Sequence, residues 1–262
     1  MDCYGVYTIG ACRMSREQGP LYLGTSGWAH RDWVGVLYAH DLSPLDYLST
    51  YARQFNTVEI EHTFFEMPIR QTVQSWQRRT PEGFVLSPCL PRRITHQQRL
   101  RDTQSLLEDF IETISELRDK LGPILVQLPE DFRSIEQESL EAFLAILPPQ
   151  VQFAVEFRHG SWVKDTTFTL LEQHQVAWVI VDAPFLPRVP RVTANFAYVR
   201  WHGRPGYQTR RQTDPAAALR RWVPILQQIG RQAQRVYGYV HNQFSGYAPR
   251  DCQTLLALLG YG

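Results

Sequence analysis

A chain of 262 residues is long enough for one large α/β domain, and a (β/α)8 barrel takes about 250. Its 27 basic and 26 acidic residues leave a net charge of +1, which excludes recruitment of nucleic acid or acidic membrane by an overall field. There is no run of about 18 apolar residues and no apolar segment after a basic start, and the four cysteines (Cys3, Cys12, Cys89, Cys252) form no CxxC and no disulfide framework; the expectation is a cytoplasmic protein without a membrane span.

Residues 1–20 carry no apolar periodicity and are expected to be a poorly ordered extension, with Met14 as an alternative start; the domain is expected over 21–262. Eight strand-like runs follow: Leu21–Ser26, Thr57–Phe64, Phe84–Cys89, Ile124–Leu128, Phe153–Arg158, Ala177–Asp182, Phe196–His202 and Arg235–Asn242. Helical patterns fall between most of them. Pro44–Phe55 opens with a Ser43 cap and proline at the first helical position. Gln71–Arg79 carries Val73 and Trp76 at helical spacing, and Thr103–Leu121 has the longest apolar stripe before Gly122-Pro123 stops it. Ile135–Leu147, Thr166–His174, Pro215–Ile229 and Arg250–Leu259 complete the set. Between the sixth and seventh strands, Ala183–Thr193 holds Pro184, Pro187 and Pro190, which excludes a regular helix there. Strands alternating with helices imply parallel βαβ units, and eight units favour a closed TIM-type (β/α)8 barrel with one crossover helix missing or degenerate.

A parallel barrel gathers its site at the strand exits, so the exits are where chemistry is sought. Gly24-Thr-Ser-Gly-Trp28 offers hydroxyls and free amides suited to an anion, making Thr25 and Trp28 binding candidates; the same pattern serves as a plain glycine-rich strand exit. Alternation puts Glu59, Glu61 and Thr63 on one face of the second run and Val58, Ile60 and His62 on the other. Two inward carboxylates are acid/base candidates or ion partners for Arg158 and Arg200. The third run passes from Cys89, read as a small buried filler, into a basic loop with Arg92, Arg93 and His96 that could close over an anion. The fourth offers Gln127 and the sixth Asp182.

The most informative stretch is Phe153–Trp162, which arrives buried and leaves charged. Ala154, Glu156 and Arg158 share a face, and a carboxylate and guanidinium at an apolar strand's mouth are costly unless paired or bound to something. The seventh run aligns Tyr198, Arg200 and His202; the eighth aligns Tyr237, Tyr239 and His241, with Asn242 beyond. Trp28, Trp33, Tyr38, Phe64, Phe65, Trp162 and Tyr207 crowd the same rim, where aromatic faces suit a sugar or base but more often pack loops.

Seven ordered blocks, Gly24–Trp28, Val58–Phe65 with Pro68, Ile94–His96, Val155–Arg158 with Ser161-Trp162, Val181-Asp182, Tyr198–Gly203 and Gly246–Ala248, resemble the signature of the YecE-like family, domain of unknown function 72. The resemblance runs from about Leu21 to the C-terminus and implies a TIM-type barrel, with no established activity. The chain departs from the pattern at Glu61 (usually Asn), Phe65 (usually Tyr), Cys89 (usually Lys) and Val240-His-Asn242 (usually Phe-Asn-Asn).

The residues together support an enzyme of hydrolase, lyase or isomerase type acting on a small polar, anionic or sugar-like ligand. Glu59, Glu61, Glu156, Asp182 and His202 are its catalytic candidates. Thr25, Trp28, His96, Arg158, Tyr198, Arg200 and Asn242 are its binding candidates. No nucleotide fingerprint implies an organic cofactor, while a divalent metal is compatible with the carboxylates. Two other classes stay open: a nucleic-acid binder or nuclease using Arg92-Arg93 and Arg210-Arg211, which the charge balance disfavours, and a non-catalytic partner scaffold.

Overall fold

The computed structural model describes residues 12–13, 19–183, 186–203 and 215–261. Most of the 1–20 extension lies outside them, as do Met14, Pro184, Tyr207 and the Arg210-Arg211 pair. In chain order the strands are β1 (Cys12–Arg13), β2 (Pro20–Thr25), β3 (Thr57–Ile60), β4 (Val85–Pro88), β5 (Ile124–Gln127), β6 (Phe153–Glu156), β7 (Ala177–Asp182), β8 (Phe196–Trp201) and β9 (Arg235–Val240). The α-helices are α1 (Tyr47–Tyr51), α2 (His62–Phe65), α3 (Arg70–Arg79), α4 (Gln104–Ile114), α5 (Gln137–Ala145), α6 (Asp165–Gln173), α7 (Pro215–Arg220), α8 (Val223–Gln232) and α9 (Ala248–Leu258).

Local chemistry explains where these elements begin and stop. The Ser43 hydroxyl accepts from the Leu45 amide, and Pro44 opens a 3-10 turn leading into α1. In α4, Leu107, Phe110 and Ile114 are buried at helical spacing. This helix is shorter than the stripe suggests, because the chain tightens into a 3-10 segment in which Arg118 takes φ 56°. The run from Thr57 likewise ends early, at Ile60. The Thr63 hydroxyl lies 2.8 Å from the Ile60 carbonyl and 2.7 Å from that of Cys89, and accepts from the Cys89 amide, tying the turn that starts α2. The strand parity expected for Glu61 and Thr63 therefore does not hold past Ile60.

The result is a parallel α/β fold. Six parallel strands curl in the order β2-β9-β8-β7-β6-β5, with β1 added antiparallel at the β2 edge, and β3-β4 form a separate parallel pair. Among the described residues a continuous eight-stranded ladder, as a full barrel would have it, is not formed. The pair meets the larger sheet at two seams held by isolated bridges, Ser26 with Glu59 on one side and Leu86 with Leu121 and Cys89 with Leu125 on the other. At the first seam side chains stand in for strand pairing: the Asn56 amide accepts from Leu23 N and donates to the Leu21 carbonyl. Gly24 is required there, since a Cβ would sit 2.1 Å from the Thr57 carbonyl oxygen.

Two apolar regions result. The larger packs strands against helices, and each fully buried Leu or Phe in it stabilises by about 1.5–3 kcal/mol. The smaller (Leu125, Ala154, Val179, Val181, Tyr198, Tyr239 and neighbours) fills the concave face of the curl. Between β7 and β8 no helix is found among the described residues, in line with the prolines there. Nor is any helix long and apolar enough to cross a membrane.

Candidate functional site

The concave face turns from apolar to charged at the strand ends. Arg200, the penultimate residue of β8, is 2 % exposed and sends its guanidinium across the curl. It donates from Nη2 to Glu59 Oε1 (2.8 Å) on β3, and from Nη1 to Gln127 Oε1 (2.8 Å) on β5 and to Glu156 Oε2 on β6. Both carboxylates are fully buried. Burial alone would raise the Glu156 carboxyl, but Arg200 and then His202 hold it well below the usual carboxylate range. Burial would lower Arg200, and Glu156 and Glu59 hold it well above its ordinary value.

The two carboxylates are not equivalent. Glu59 Oε1 also accepts from Ser26 (2.6 Å) and Oε2 from the Tyr198 hydroxyl (2.7 Å), so both of its oxygens are hydrogen-bonded. Glu156 Oε1 makes no well-aligned hydrogen bond among the described residues. Its neighbours are His202 Nε2 at 3.1 Å and Arg158 Nε at 3.5 Å, both toward the mouth.

Two stacked imidazoles close the mouth on the β8-β9 side. His202 and His241 have ring centroids 4.3 Å apart, and His241 Nε2 stands 3.9 Å from Glu59 Oε1. Burial, Arg200 and His202 keep His241 well below the ordinary histidine range, so it is neutral near pH 7. On the β3 side, Glu61 lies over Gly27, whose φ of +74° and close Glu61 Oε1 leave no room for a side chain. The Glu61 carboxyl is raised by burial and by Glu59, with His30 acting against them.

The cation a metal would supply between Glu59 and Glu156 is already present as the Arg200 guanidinium. Among the described residues no group of three His, Cys, Asp or Glu is arranged to hold a metal ion. Cys89 is buried, its thiol raised by burial and by Glu59, and is packed with Leu125 and Ala154 as a filler would be.

The model of a family described as Protein of unknown function DUF72 matches residues 22–262. The chain belongs to the DUF72 family. It is 31 % identical to the UPF0759 protein YecE of Escherichia coli (strain K12) over 168 residues, 62 % of this chain and 59 % of that protein, so the matched part spans less than two thirds of YecE. It is 24 % identical over 271 residues to the UPF0759 protein YunF of Bacillus subtilis (strain 168), covering 91 % of this chain and 94 % of YunF. A DUF72 family protein from Thermotoga maritima superposes with a TM-score of 0.80 at 27 % identity, over 92 % of this chain and 99 % of that one. The D-psicose 3-epimerase of Clostridium cellulolyticum H10, solved with D-tagatose, gives a TM-score of 0.54 at 10 % identity over 92 % and 98 % of the two chains, a likeness of fold alone.

In this DUF72 chain the residues singled out from sequence divide into two groups. Glu59, Glu156, Arg158, Tyr198, Arg200 and His202 are linked contact by contact, and Glu61 joins through Ser26 (3.4 Å). Asp182 does not join them. Val179 and Val181 take the concave face, so the next residue points to the helices, where Asp182 accepts from Arg188 (3.0 Å) and Trp222 Nε1 (2.8 Å). Thr25 is held by Tyr51 and the Gly27 carbonyl, Trp28 packs edge-on to Trp76, and Asn242 accepts from Trp33 Nε1 and Ala248 N; all three brace loops. His96 sits apart on Thr95 and Phe64, within the field of Arg158. The sequence aligns His241 with Tyr239 without marking it as a candidate, and offers the Ser26 hydroxyl for an anion, where the structure spends it on Glu59.

Proposed function

We propose that this DUF72 chain is an enzyme that moves protons on a small polar molecule at the carboxyl-end mouth of its strands, which we read as one (β/α)8 barrel closed at two loosely bridged seams. The observation that carries the reading is the pairing of His202 with the half-satisfied Glu156. Glu156 Oε1 stands 3.1 Å from His202 Nε2 without an aligned hydrogen bond, a geometry that a small turn of the ring completes once substrate is bound, so that the buried acid orients a general base. Glu61, whose carboxyl is raised by burial, supplies a second group that exchanges a proton, and His241 stands beside them as a neutral imidazole. Arg200 and Glu59 are the fixed electrostatic floor rather than reactants. Hydrolysis through a covalent nucleophile is disfavoured, because the Cys89 thiol is raised and the Ser26 hydroxyl is buried and spent on Glu59. Proton transfer of isomerase or lyase type remains.

The test is to incubate the protein in D2O with a panel of hydroxy acids, sugars and sugar phosphates and follow C–H exchange by NMR. Wild type should exchange or convert a panel member, and His202→Gln and Glu156→Gln should slow it at least about 100-fold while remaining folded. An unchanged rate in His202→Gln, or a wild type inert to the whole panel, would sink the reading.

A further inference from the structure

We propose that Arg158 seats an oxyanion, so that the substrate is a small acid bearing a carboxylate or phosphate and not a neutral sugar. This deepens the proton-transfer reading and rests on it for the identity of the reacting end.

The inference starts from how the guanidiniums of this face are occupied. Arg200 is bonded to two carboxylates and an amide, and Arg99 to Asp131 and Glu136, so neither has a fork to offer. Arg158 differs. Its side chain is only 28 % exposed, yet its nearest acceptors are Glu156 Oε1 at 3.5 Å and Glu130 Oε1 at 3.6 Å, and it makes no hydrogen bond with the described residues. Glu156 is already engaged by Arg200, and the Glu130 side chain is 77 % exposed. A half-buried guanidinium that opens to the mouth and makes no hydrogen bond with the described residues is free for a ligand, and a bidentate oxyanion is the partner its planar fork fits.

His96 is a second donor within the field of Arg158. Its Nδ1 lies 2.9 Å from the Thr95 hydroxyl, and if that hydroxyl donates, the ring proton rests on Nε2 as a second donor. Burial, Arg92 and Arg158 lower its pKa, so within the field of Arg158 it stays neutral and does not repel that cation. The backbone that presents it is held rigidly. A π-helical turn over Arg93–Gln97 is followed by left-handed Arg99, Leu100 and Asp102, and the Arg99 ties to Asp131 and Glu136 hold that conformation.

Two of the rim tryptophans are engaged within the fold and not free to stack on a sugar. Trp162 is fully buried between Phe132 and Phe157, and Trp28 packs against Trp76. The distance from Arg158 Nε to Glu156 Oε1, which also touches His202, places a bound oxyanion next to the reacting group.

The experiment is a calorimetric titration of the full chain with inorganic phosphate and, separately, with malonate, at fixed ionic strength set by chloride. One of the two should bind at a single site, and which one it is tells phosphate from carboxylate. Arg158→Gln should weaken that binding at least about tenfold, the loss of a charge-assisted hydrogen bond. Arg158→Lys, which keeps the charge and loses the fork, should fall between; His96→Gln should weaken binding several-fold; Arg93→Ala on the exposed face of the same turn should not. Affinities within about twofold of wild type in both Arg158 variants, or no binding of either anion above chloride, overturn the proposal. His202→Gln should still bind the anion. If it does while wild type exchanges no bound acid, the proton-transfer reading falls and the seat stands; if wild type exchanges neutral sugars and Arg158→Gln does so equally, the seat falls and the proton-transfer reading stands.

Discussion

Glu59 and Glu156 flank one guanidinium from opposite regions of the fold, both fully buried, yet only one is finished. On the β3 side, Glu59 takes Arg200, Ser26 and Tyr198 and has nothing left to offer. On the β6 side, Glu156 spends Oε2 on Arg200 and turns Oε1 toward a histidine and a half-buried arginine at the mouth. A carboxylate buried for the fold has both oxygens hydrogen-bonded, whereas one kept for chemistry leaves an oxygen unbonded where a ligand can reach. The comparison separates a structural floor from a working rim within a few ångströms.

Breaking the floor should have the largest effect. Arg200→Met leaves two buried carboxylates uncompensated and should cost about 3–5 kcal/mol in urea melts. Glu156 would then carry a folded pKa above its unfolded value. The unfolded state would release the proton more readily, so the deficit should grow as pH rises past about 4.5. A loss below about 1 kcal/mol would show that Arg200 is not the floor's organiser.

Glu156→Gln keeps the shape and one acceptor, and should cost about 1–3 kcal/mol at neutral pH. In wild type the folded pKa of Glu156 lies below 4.5, so its stabilisation is complete above that pH and lost as pH falls through the folded value. Wild type and variant melts should therefore converge in acid; parallel curves from pH 3 to 7 would contradict the pairing. Arg158→Gln belongs to the rim and should cost no more than about 1 kcal/mol, because its carboxylate contacts are long and one partner is exposed. An Arg158 loss matching that of Arg200 would merge floor and rim.

The smallest effect is expected at Glu61. Its folded pKa stands above the ordinary 4.5, so wild type gives up stability as pH rises through the carboxylate range. Glu61→Gln removes that slope and should gain a few tenths of a kcal/mol at pH 7, with no gain below pH 4. A loss at neutral pH would assign Glu61 to the floor.

How far the sequence revealed this division follows from the range of each interaction. Alternation along β8 aligned Tyr198, Arg200 and His202, and the structure has Tyr198 on Glu59, Arg200 on both Glu59 and Glu156, and His202 beside Glu156. The partners themselves were hidden, since Arg200 reaches 141 positions back to Glu59 and 73 to Gln127. Glu61 was misread as a strand residue because Glu-His-Thr-Phe alternates as well as any strand does. What ends the strand is the Thr63 hydroxyl reaching Cys89, a contact 26 positions away. Asp182 failed on parity that was readable, for Val179 and Val181 already claimed the inner face. The proline-rich connection after β7 was legible because proline acts locally.

The seams bear on how the molecule opens. The β3-β4 pair is fastened to the six-stranded sheet by side chains more than by a ladder: Glu59 to Arg200 and Tyr198, Thr57 and Ser87 to the Tyr239 hydroxyl, and Asn56 to the β2 backbone. Amide hydrogens facing the seams should exchange ahead of those within β7-β8-β9, reporting a hinged stave that swings out before the whole fold melts. The same glutamate would then serve as clasp and as electrostatic floor, so drift at Glu59 is constrained twice over, and a chain that lost its chemistry would still have reason to keep that residue.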